Sequence, residues 1–227
     1  MTTTRSERRD NEVKVATGLV TLEGNLEIPG GAEGVVLFAH GSGSGRFSPR
    51  NQFVPKVLGQ GGLATLLIDL LTREEEEVDR WTQQYRFHID LLTDRLIGAT
   101  DWISESPATR SLRIGYFGAS TGAAAALWAA AQRPEAVKAV VSRGGRPDLA
   151  TAAFSQVKAS TLLIVGGDDL VVIDLNQRAL KQLDAEKELE IVPGASHLFE
   201  EPGTLEEVAR LACNWFQRYL TSRSEAK

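Results

Sequence analysis

The residues best suited to covalent chemistry lie in the pentapeptide GASTG at residues 118–122, which follows an apolar run and precedes an alanine-rich segment. This is the pattern G-x-S-x-G in a strand–turn–helix setting, in which a sharp turn lifts a serine hydroxyl above a sheet. Side chains at the two glycine positions would collide with neighbouring backbone. Ser120 is therefore the predicted nucleophile, and an incidental serine in a glycine-rich turn is the alternative.

A serine needs a base to take its proton, and the chain contains 3 histidines. His197 lies in the loop between the last predicted strand and the last predicted helix, at the carboxyl edge of the sheet, and is the predicted base. His40 ends an early strand and belongs to the loop beside the reacting oxygen. His88 falls on the apolar face of a predicted helix, where we expect a histidine packed in the core.

The acid that orients the base is expected after a strand between Ser120 and His197, in the chain order of the hydrolases with a nucleophile elbow. Asp168 and Asp169 follow such a strand, and their spacing from the preceding glycine pair favours Asp169 as the acid. The other aspartate would cap the helix expected to begin nearby. Asp148, which follows an earlier strand, is a further candidate.

A second glycine-rich segment, HGSGSG at residues 40–45, follows the first predicted parallel strand. Its small residues allow a backbone N–H group to face a reacting carbonyl. The backbone amides of Ser42 and Thr121 are the predicted pair of oxyanion donors. A phosphate-binding loop is the alternative, but the segment lacks the Lys-Ser/Thr ending of a P-loop and the spacing of a dinucleotide-binding loop.

The elements that must position these residues alternate between apolar runs and helical patterns. The clearest helical pattern runs from residue 81 to residue 103, with Trp81, Tyr85 and His88 at the start of its apolar face. Such alternation predicts an α/β fold with right-handed crossovers and a mostly parallel sheet flanked by helices on both faces. Ligands of such sheets bind outside the carboxyl ends of the strands, where every candidate residue falls. We predict a hairpin from residues 13–15 and 19–26, and buried strands at 34–39, 64–71, 112–117, 136–142, 161–165 and 189–192.

Four motifs together make the chain resemble the α/β-hydrolases of the dienelactone-hydrolase-like group over about residues 13–220. They are HGSGSG at 40–45, GASTG at 118–122, GGDDLVV at 166–172 and GASHLF around His197. The resemblance implies an α/β-hydrolase fold with an eight-stranded, mostly parallel sheet and a triad of Ser120, Asp169 and His197. The nucleophile of true dienelactone hydrolases is a cysteine, whereas this motif holds a serine, and Cys213 falls on the flank of the final helix. A serine carboxylesterase that acts on a small-molecule ester is therefore predicted.

The composition sets bounds on the class of protein. The chain has 227 residues, 42% hydrophobic, with a net charge of −5, so a nucleic-acid or anionic membrane surface is not expected. The longest apolar stretch is too short to span a bilayer, and a single cysteine excludes a multi-cysteine metal site. We expect one domain at residues 13–222 with flexible tails at 1–12 and 223–227, no cofactor or metal, a cytoplasmic location, and a monomer or homodimer.

The surroundings of the predicted site bear on its substrate. The strand ending near Ser142 runs straight into a short helical segment, so no large lid is expected and the site should be open. Arg143 and Arg146 follow this strand and are candidates to bind a substrate carboxylate, with ordinary surface salt bridges as the alternative. The same triad would serve a thioesterase, peptidase or acyltransferase. A non-catalytic small-molecule-binding protein is the remaining alternative, which has no need for nucleophile, acid and base together.

Overall fold

The structure, a computed structural model, describes residues 11–41 and 43–222. Ser42, one of the two predicted oxyanion donors, lies outside the described residues, and so do residues 1–10 and 223–227 of the predicted tails. β1 begins at Glu12, and the Leu26 N–H donates to the Asn11 carbonyl at 2.9 Å, so ordered pairing starts slightly before the boundary expected from the sequence.

One eight-stranded sheet organises the molecule, in the spatial order β1-β2-β4-β3-β5-β6-β7-β8. The hairpin β1–β2 is antiparallel and joins the sheet through an antiparallel β2–β4 pair, whereas β3 to β8 pair in parallel. This confirms the predicted mostly parallel sheet. The strands are β1 Glu12–Thr17, β2 Val20–Glu27, β3 Gly34–Ala39, β4 Ala64–Ile68, β5 Arg113–Ala119, β6 Val137–Arg143, β7 Ser160–Gly166 and β8 Lys187–Val192.

Helices cover both faces of this sheet. The cores of α3, α4, α5 and a 3₁₀ helix pack in one apolar cluster, and those of α1 and α6 pack in a second cluster on the opposite face. Between β6 and β7 the chain forms the 3₁₀ helix alone, so no large lid lies over the strand ends. The helices are α1 Pro49–Gln60, α2 Arg73–Thr82, α3 Ile89–Glu105, α4 Thr121–Gln132, the 3₁₀ helix Pro147–Gln156, α5 Leu170–Gln182 and α6 Thr204–Leu220.

Two neighbouring strands, β3 and β4, are buried along their whole length, as their uninterrupted apolar sequences require. Every residue of β3 and β4 is buried. The predicted strand 64–71 is three residues too long, because pairing with β3 ends at Ile68 and the chain then leaves the ladder at Asp69. This early departure matters for the site, since it frees the Asp69 side chain to contact the loop that follows β3.

The single helix predicted over residues 81–103 is wrong. It is divided into α2, which ends at Thr82, and α3, which begins at Ile89. Gln83 adopts a left-handed conformation with φ of 55°, and the buried Asp79 carboxylate accepts the backbone N–H groups of Tyr85 and Arg86, which holds the chain in a turn. As a result Trp81 projects into solvent with 90% exposure instead of joining the core.

His88 is not the core histidine that the helical pattern suggests. It is exposed and caps the N-terminus of α3, where its Nδ1 accepts the backbone N–H of Leu91 at 3.1 Å. The side-chain periodicity that favoured a longer helix belongs to the buried face of α3 from Leu92 onward. None of the helices within residues 11–41 and 43–222 has the length and apolar character needed to cross a bilayer.

Candidate active site

Ser120 occupies the turn between β5 and α4 in a strained backbone conformation. Its φ of 51° and ψ of −118° lie in a region that residues with a side chain seldom adopt, at a cost of about 1–3 kcal/mol. The turn is tight because small residues allow it: a Cβ on Gly122 would lie 2.1 Å from the Ala39 carbonyl oxygen, and one on Gly118 would lie 2.4 Å from Ala123 Cα. The strand–turn–helix setting expected for G-x-S-x-G is therefore present.

The segment of residues 143–146 holds the Ser120 peptide from both sides. The Ser120 N–H donates to the Arg143 carbonyl at 3.2 Å, and the Arg146 N–H donates to the Ser120 carbonyl at 3.2 Å. Gly144 lies beneath His197, where an added Cβ would be 3.2 Å from the His197 carbonyl oxygen and 3.5 Å from its Nδ1. This backbone contact between the serine turn and the histidine loop was missed from the sequence, although the glycine pair after β6 was a visible signal.

His197 and Asp169 come together at the carboxyl ends of β7 and β8. The imidazole Nδ1 lies 2.6 Å from Asp169 Oδ2, so Nδ1–H is oriented to donate to the carboxylate and Nε2 is left to accept a proton. The Asp169 side chain is 15% exposed and that of His197 is 40% exposed. Asp169 also caps α5, because its Oδ1 accepts the Val172 N–H at 3.4 Å.

The other two candidate acids have different contacts. Asp168 is exposed, and its backbone N–H donates to the Ala195 carbonyl at 3.0 Å, which ties the two loops together. The expectation that the unused aspartate would cap α5 is wrong, since Asp169 itself is the cap. Asp148 binds the Arg146 guanidinium through both of its oxygens, at 2.8 Å and 2.7 Å. Only Asp169 among these three contacts His197.

The loop after β3 lies directly against the Ser120 turn. A Cβ on Gly41 would be 3.3 Å from Ser120 Cβ, so little space separates the two turns. Thr121, the described member of the predicted oxyanion pair, is buried at the first position of α4, immediately after Ser120. His40 donates from Nδ1 to the Gly41 carbonyl at 3.2 Å, and its Nε2 lies 3.3 Å from Asp69 Oδ1. His40 therefore supports this loop and does not contact Asp169.

Asp69 anchors both ends of that loop, a role the sequence analysis did not identify. The Arg46 backbone N–H donates to Asp69 Oδ1 at 2.8 Å, and the Arg46 guanidinium binds the same carboxylate. Burial pushes the pKa of Asp69 upward, but hydrogen bonds from His40 and Arg46 outweigh it and hold this pKa below the ordinary aspartate value. Arg46 is 6% exposed and also binds Asn25 Oδ1 at 3.0 Å and Glu23 Oε2 at 2.9 Å. An aspartate at the carboxyl end of β4 was the available sequence signal.

The two arginines proposed as carboxylate binders differ in their surroundings. Arg146 is partly exposed, and its guanidinium makes two hydrogen bonds to Asp148. This is the ordinary surface salt bridge that the sequence left as the alternative to substrate binding. Arg143 is 8% exposed, and within the described part of the chain its guanidinium has neither a hydrogen-bond nor an ion-pair partner. Burial, with a smaller contribution from the charge of Arg50, lowers the pKa of Arg143 to about 10, so the side chain stays charged at neutral pH.

Two clefts open at this edge of the sheet, and His40 lines both. The narrow cleft is mostly apolar and contains the Arg143 side chain. The wide cleft is lined by the loop after β3, by α2 and by Thr121. No cluster of three or more His, Cys, Asp or Glu side chains suited to a metal ion occurs within residues 11–41 and 43–222.

Comparison with known proteins places this fold in a family. The dienelactone hydrolase family matches residues 23–222 of the chain. A dienelactone hydrolase from Anabaena variabilis of known crystal structure is 64% identical, with a TM-score of 0.92 over 92% of this chain and 97% of that one. A dienelactone hydrolase-like promiscuous phosphotriesterase from metagenomic libraries shares the fold at 18% identity and a TM-score of 0.72, over 92% of this chain and 98% of that one.

A Mycobacterium tuberculosis protein, whose name proposes phosphoribosyl transferase activity, is 56% identical over 212 residues. The match covers 93% of this chain and 47% of that protein, so the chain spans about half the length of this curated relative. The family match, in contrast, covers most of the chain. The chain thus belongs to the dienelactone hydrolase family and has an α/β-hydrolase fold.

Proposed function

We propose that the protein is a serine hydrolase that cleaves small carboxylic esters through a covalent acyl-enzyme on Ser120. The observation that carries the proposal is the 2.6 Å hydrogen bond between His197 and Asp169, on loops at the same sheet edge as the strained Ser120 turn. A protein that only binds ligand would have no need to keep a strained serine at the same sheet edge as an oriented imidazole.

In the proposed reaction, Ser120 Oγ attacks the ester carbonyl carbon while His197 Nε2 takes the hydroxyl proton. The ester C–O bond then breaks, and the imidazolium returns this proton to the departing alkoxide. A water molecule, activated by the same imidazole, attacks the acyl-enzyme and releases the carboxylic acid and free Ser120. Asp169 holds the imidazole orientation and stabilises its charged form during both steps.

The negative charge on the tetrahedral oxygen is assigned to the backbone N–H groups of Thr121 and Ser42. Thr121 begins a 12-residue helix, whose N-terminus carries partial positive charge toward the reacting centre. The proposal of Ser42 rests on its sequence position next to Gly41, which contacts the Ser120 turn. Together these groups would stabilise the charge that develops in the transition state.

A cysteine nucleophile, as in the true dienelactone hydrolases, is not proposed for this chain. Cys213 lies on α6 and packs close to Gly61, on the face of the sheet covered by α1 and α6. Burial raises the pKa of the Cys213 thiol above its ordinary value, so the reactive thiolate is disfavoured.

The same residues would catalyse cleavage of a thioester or an activated amide, or acyl transfer to an acceptor other than water. These remain alternatives within one chemical class, and the turnover of matched substrates separates them. The phosphoribosyl transferase activity in the name of the Mycobacterium tuberculosis relative is not proposed here, because this chain matches 47% of that protein.

The proposal is tested by steady-state turnover of 4-nitrophenyl acetate by wild type and single variants. We expect Ser120→Ala and His197→Ala to lower kcat by about 10³-fold or more, and Asp169→Asn to lower it by a comparable factor. Asp168→Asn is the matched control and should retain turnover near that of wild type. Undiminished turnover in Ser120→Ala, or a larger loss in Asp168→Asn than in Asp169→Asn, would contradict the assignment.

A further inference from the structure

Asn176 is a fully buried asparagine on α5, two helical turns after the residue that caps the start of this helix, Asp169. Its amide Nδ2 donates two hydrogen bonds, one to the Val172 carbonyl at 2.8 Å and one to the Gly145 carbonyl at 3.1 Å. The first bond stays within α5, whereas the second crosses to the chain that follows β6. Asn176 therefore joins α5 to the segment of residues 143–146.

The other contacts of the segment 143–146 reach Ser120 and His197. The backbone at its two ends is hydrogen-bonded to the Ser120 peptide. Between these ends, Gly144 lies against the imidazole, because a Cβ added there would be 3.5 Å from His197 Nδ1. The carbonyl of Gly145 is the point at which this segment is fixed to α5. One short segment thus contacts the serine turn, the histidine loop and the helix that follows the acid.

Gly145 itself packs closely on α4. A Cβ added to this residue would lie 2.8 Å from Ala123 Cβ, which leaves no room for a side chain. α4 begins immediately after Ser120, and α5 begins immediately after Asp169. The hydrogen bond from Asn176 therefore fixes the position of the helix that follows the proposed nucleophile relative to the helix that follows the proposed acid.

The stability of the fold gives little reason for an amide at this position. Asn176 is 0% exposed, and its Oδ1 has no hydrogen-bond partner among the described residues. A buried acceptor without a partner costs free energy, and asparagine is a poor helix former. An aliphatic side chain would fill the same space without either cost. What the amide adds is a donor long enough to reach Gly145.

Building on the proposed function, we propose that Asn176 is a positioning residue for ester hydrolysis. Its amide holds the segment 143–146 against α5, so that the Ser120 turn and the hydrogen-bonded pair of His197 and Asp169 keep one relative position. Proton transfer between them depends steeply on this position, because a displacement of about 1 Å can cost about 100-fold in rate. Asn176 touches no reacting atom and acts through the backbone of this segment.

The kinetic test measures turnover of 4-nitrophenyl acetate by three variants. Asn176→Leu removes the amide donors and keeps nearly the same shape. Asn176→Ser keeps a hydroxyl that can donate to the Val172 carbonyl, four residues earlier, but is too short to reach Gly145. Thr109→Val is the matched control, because Thr109 is also buried and donates to one backbone carbonyl, that of Ile103, before β5 and away from the catalytic edge.

We expect both Asn176 variants to lower kcat by about 10-fold or more while KM changes by less than about 3-fold. Thr109→Val should keep the kcat of wild type, and melting temperatures show how far each variant is destabilised. Undiminished turnover in Asn176→Ser would overturn the proposal, since the bond within α5 would then be sufficient. An equal loss of kcat in Thr109→Val at similar destabilisation would also overturn it, by reducing Asn176 to a stability residue.

Proton NMR tests the position of the imidazole without relying on turnover. The His197 Nδ1–H proton, hydrogen-bonded to Asp169, should resonate far downfield and be absent from His197→Ala. In the Ser120→Ala background, Asn176→Leu should shift or broaden this resonance, whereas Thr109→Val should leave it unchanged. An unchanged resonance in Asn176→Leu would overturn the proposal even if Ser120 is the nucleophile. A displaced resonance in a protein whose Ser120 proves unreactive would uphold the positioning role and remove the proposed hydrolysis instead.

Discussion

Two arginines are buried at the carboxyl edge of the same sheet, and they have opposite surroundings. Arg46 is 6% exposed and is surrounded by Asp69, Glu23 and Asn25. Arg143 is 8% exposed and has no partner within the described residues. Burial alone therefore does not determine whether an arginine stabilises or weakens the fold. The distinction lies in whether the folded chain itself supplies the counter-charge.

Burying a guanidinium has a different free-energy cost at the two positions. At Arg46 the folded state supplies the hydrogen bonds lost from water, so the residue stabilises the loop after β3 and the strands beside it. At Arg143 the described part of the folded chain does not supply them, so burial of this charge opposes folding. Removing the two side chains should consequently change stability in opposite directions.

The largest expected effect is at the paired arginine. Arg46→Met leaves the partly buried Asp69 carboxylate without its guanidinium partner, whereas Glu23 keeps its ion pair with Arg73. We expect a loss of about 3 kcal/mol in the free energy of unfolding. Urea denaturation followed by circular dichroism measures this. A loss no larger than that of an exposed arginine variant, such as Arg210→Gln, would show that the pairing around Arg46 is not what holds the loop.

The second-largest loss of stability is expected at Asp69, and this loss depends on pH. The pKa of Asp69 is lowered in the folded state, so the ionised carboxylate stabilises the fold fully at a pH above the pKa that it has in the unfolded chain. This stabilisation is lost as the pH falls through the lower pKa of the folded state. We expect Asp69→Asn to cost about 2–3 kcal/mol at pH 7. Denaturation curves from pH 7 to pH 3 should show the gap between wild type and variant narrowing in acid. A gap independent of pH would contradict the role of this carboxylate charge.

A smaller effect of opposite sign is expected at the unpaired arginine. Arg143→Met removes a buried charge while keeping similar volume, and should raise the free energy of unfolding by about 1–2 kcal/mol. The same urea experiment in ligand-free buffer measures it. Destabilisation comparable to that of Arg46→Met would remove the contrast between the two arginines.

Ser120, the proposed nucleophile, offers a related case, because its backbone strain opposes the stability of the fold. Ser120 has a φ of 51°, which glycine adopts at lower cost. Ser120→Gly should abolish ester turnover and stabilise the fold by about 1 kcal/mol. Ser120→Ala is the matched control, because it removes the hydroxyl and keeps the strain; equal stability of these two variants would argue against strain at this turn.

The smallest effect is expected at Arg146, whose bond to Asp148 is partly exposed. Arg146→Gln should change the free energy of unfolding by about 0.5 kcal/mol or less. Urea denaturation of the variant beside wild type measures this change. A loss as large as that of Arg46→Met would show that the ion pair with Asp148 holds the segment after β6.

The sequence predicted those structural features that a single short segment determines. The apolar runs predicted the strands, and G-x-S-x-G predicted the turn that strains Ser120. The sequence favoured Asp169 as the acid over Asp168 and Asp148, and in the structure the Asp169 carboxylate contacts His197. These features depend on strand order and on the residue types in turns, and both can be inferred directly from the sequence.

Features that depend on distant side chains were not accessible from the sequence. Arg143 and Arg146 look alike in the sequence, but one ends a strand facing α1 and the other follows in a loop beside Asp148. The break before α3 depends on the Asp79 carboxylate capping a turn six residues further along, which competes with helical periodicity. The anchoring of the loop after β3 by Asp69 required knowing that β4 lies next to β3.

The central claim is that Ser120 is an activated nucleophile, and covalent labelling tests it most directly. Wild-type protein treated with a fluorophosphonate should gain the mass of one phosphonyl group, mapped to the peptide that contains Ser120. His197→Ala should label far more slowly, and Ser120→Ala should not label. An unlabelled wild-type protein that is folded, or a label mapped to another residue, would contradict the account.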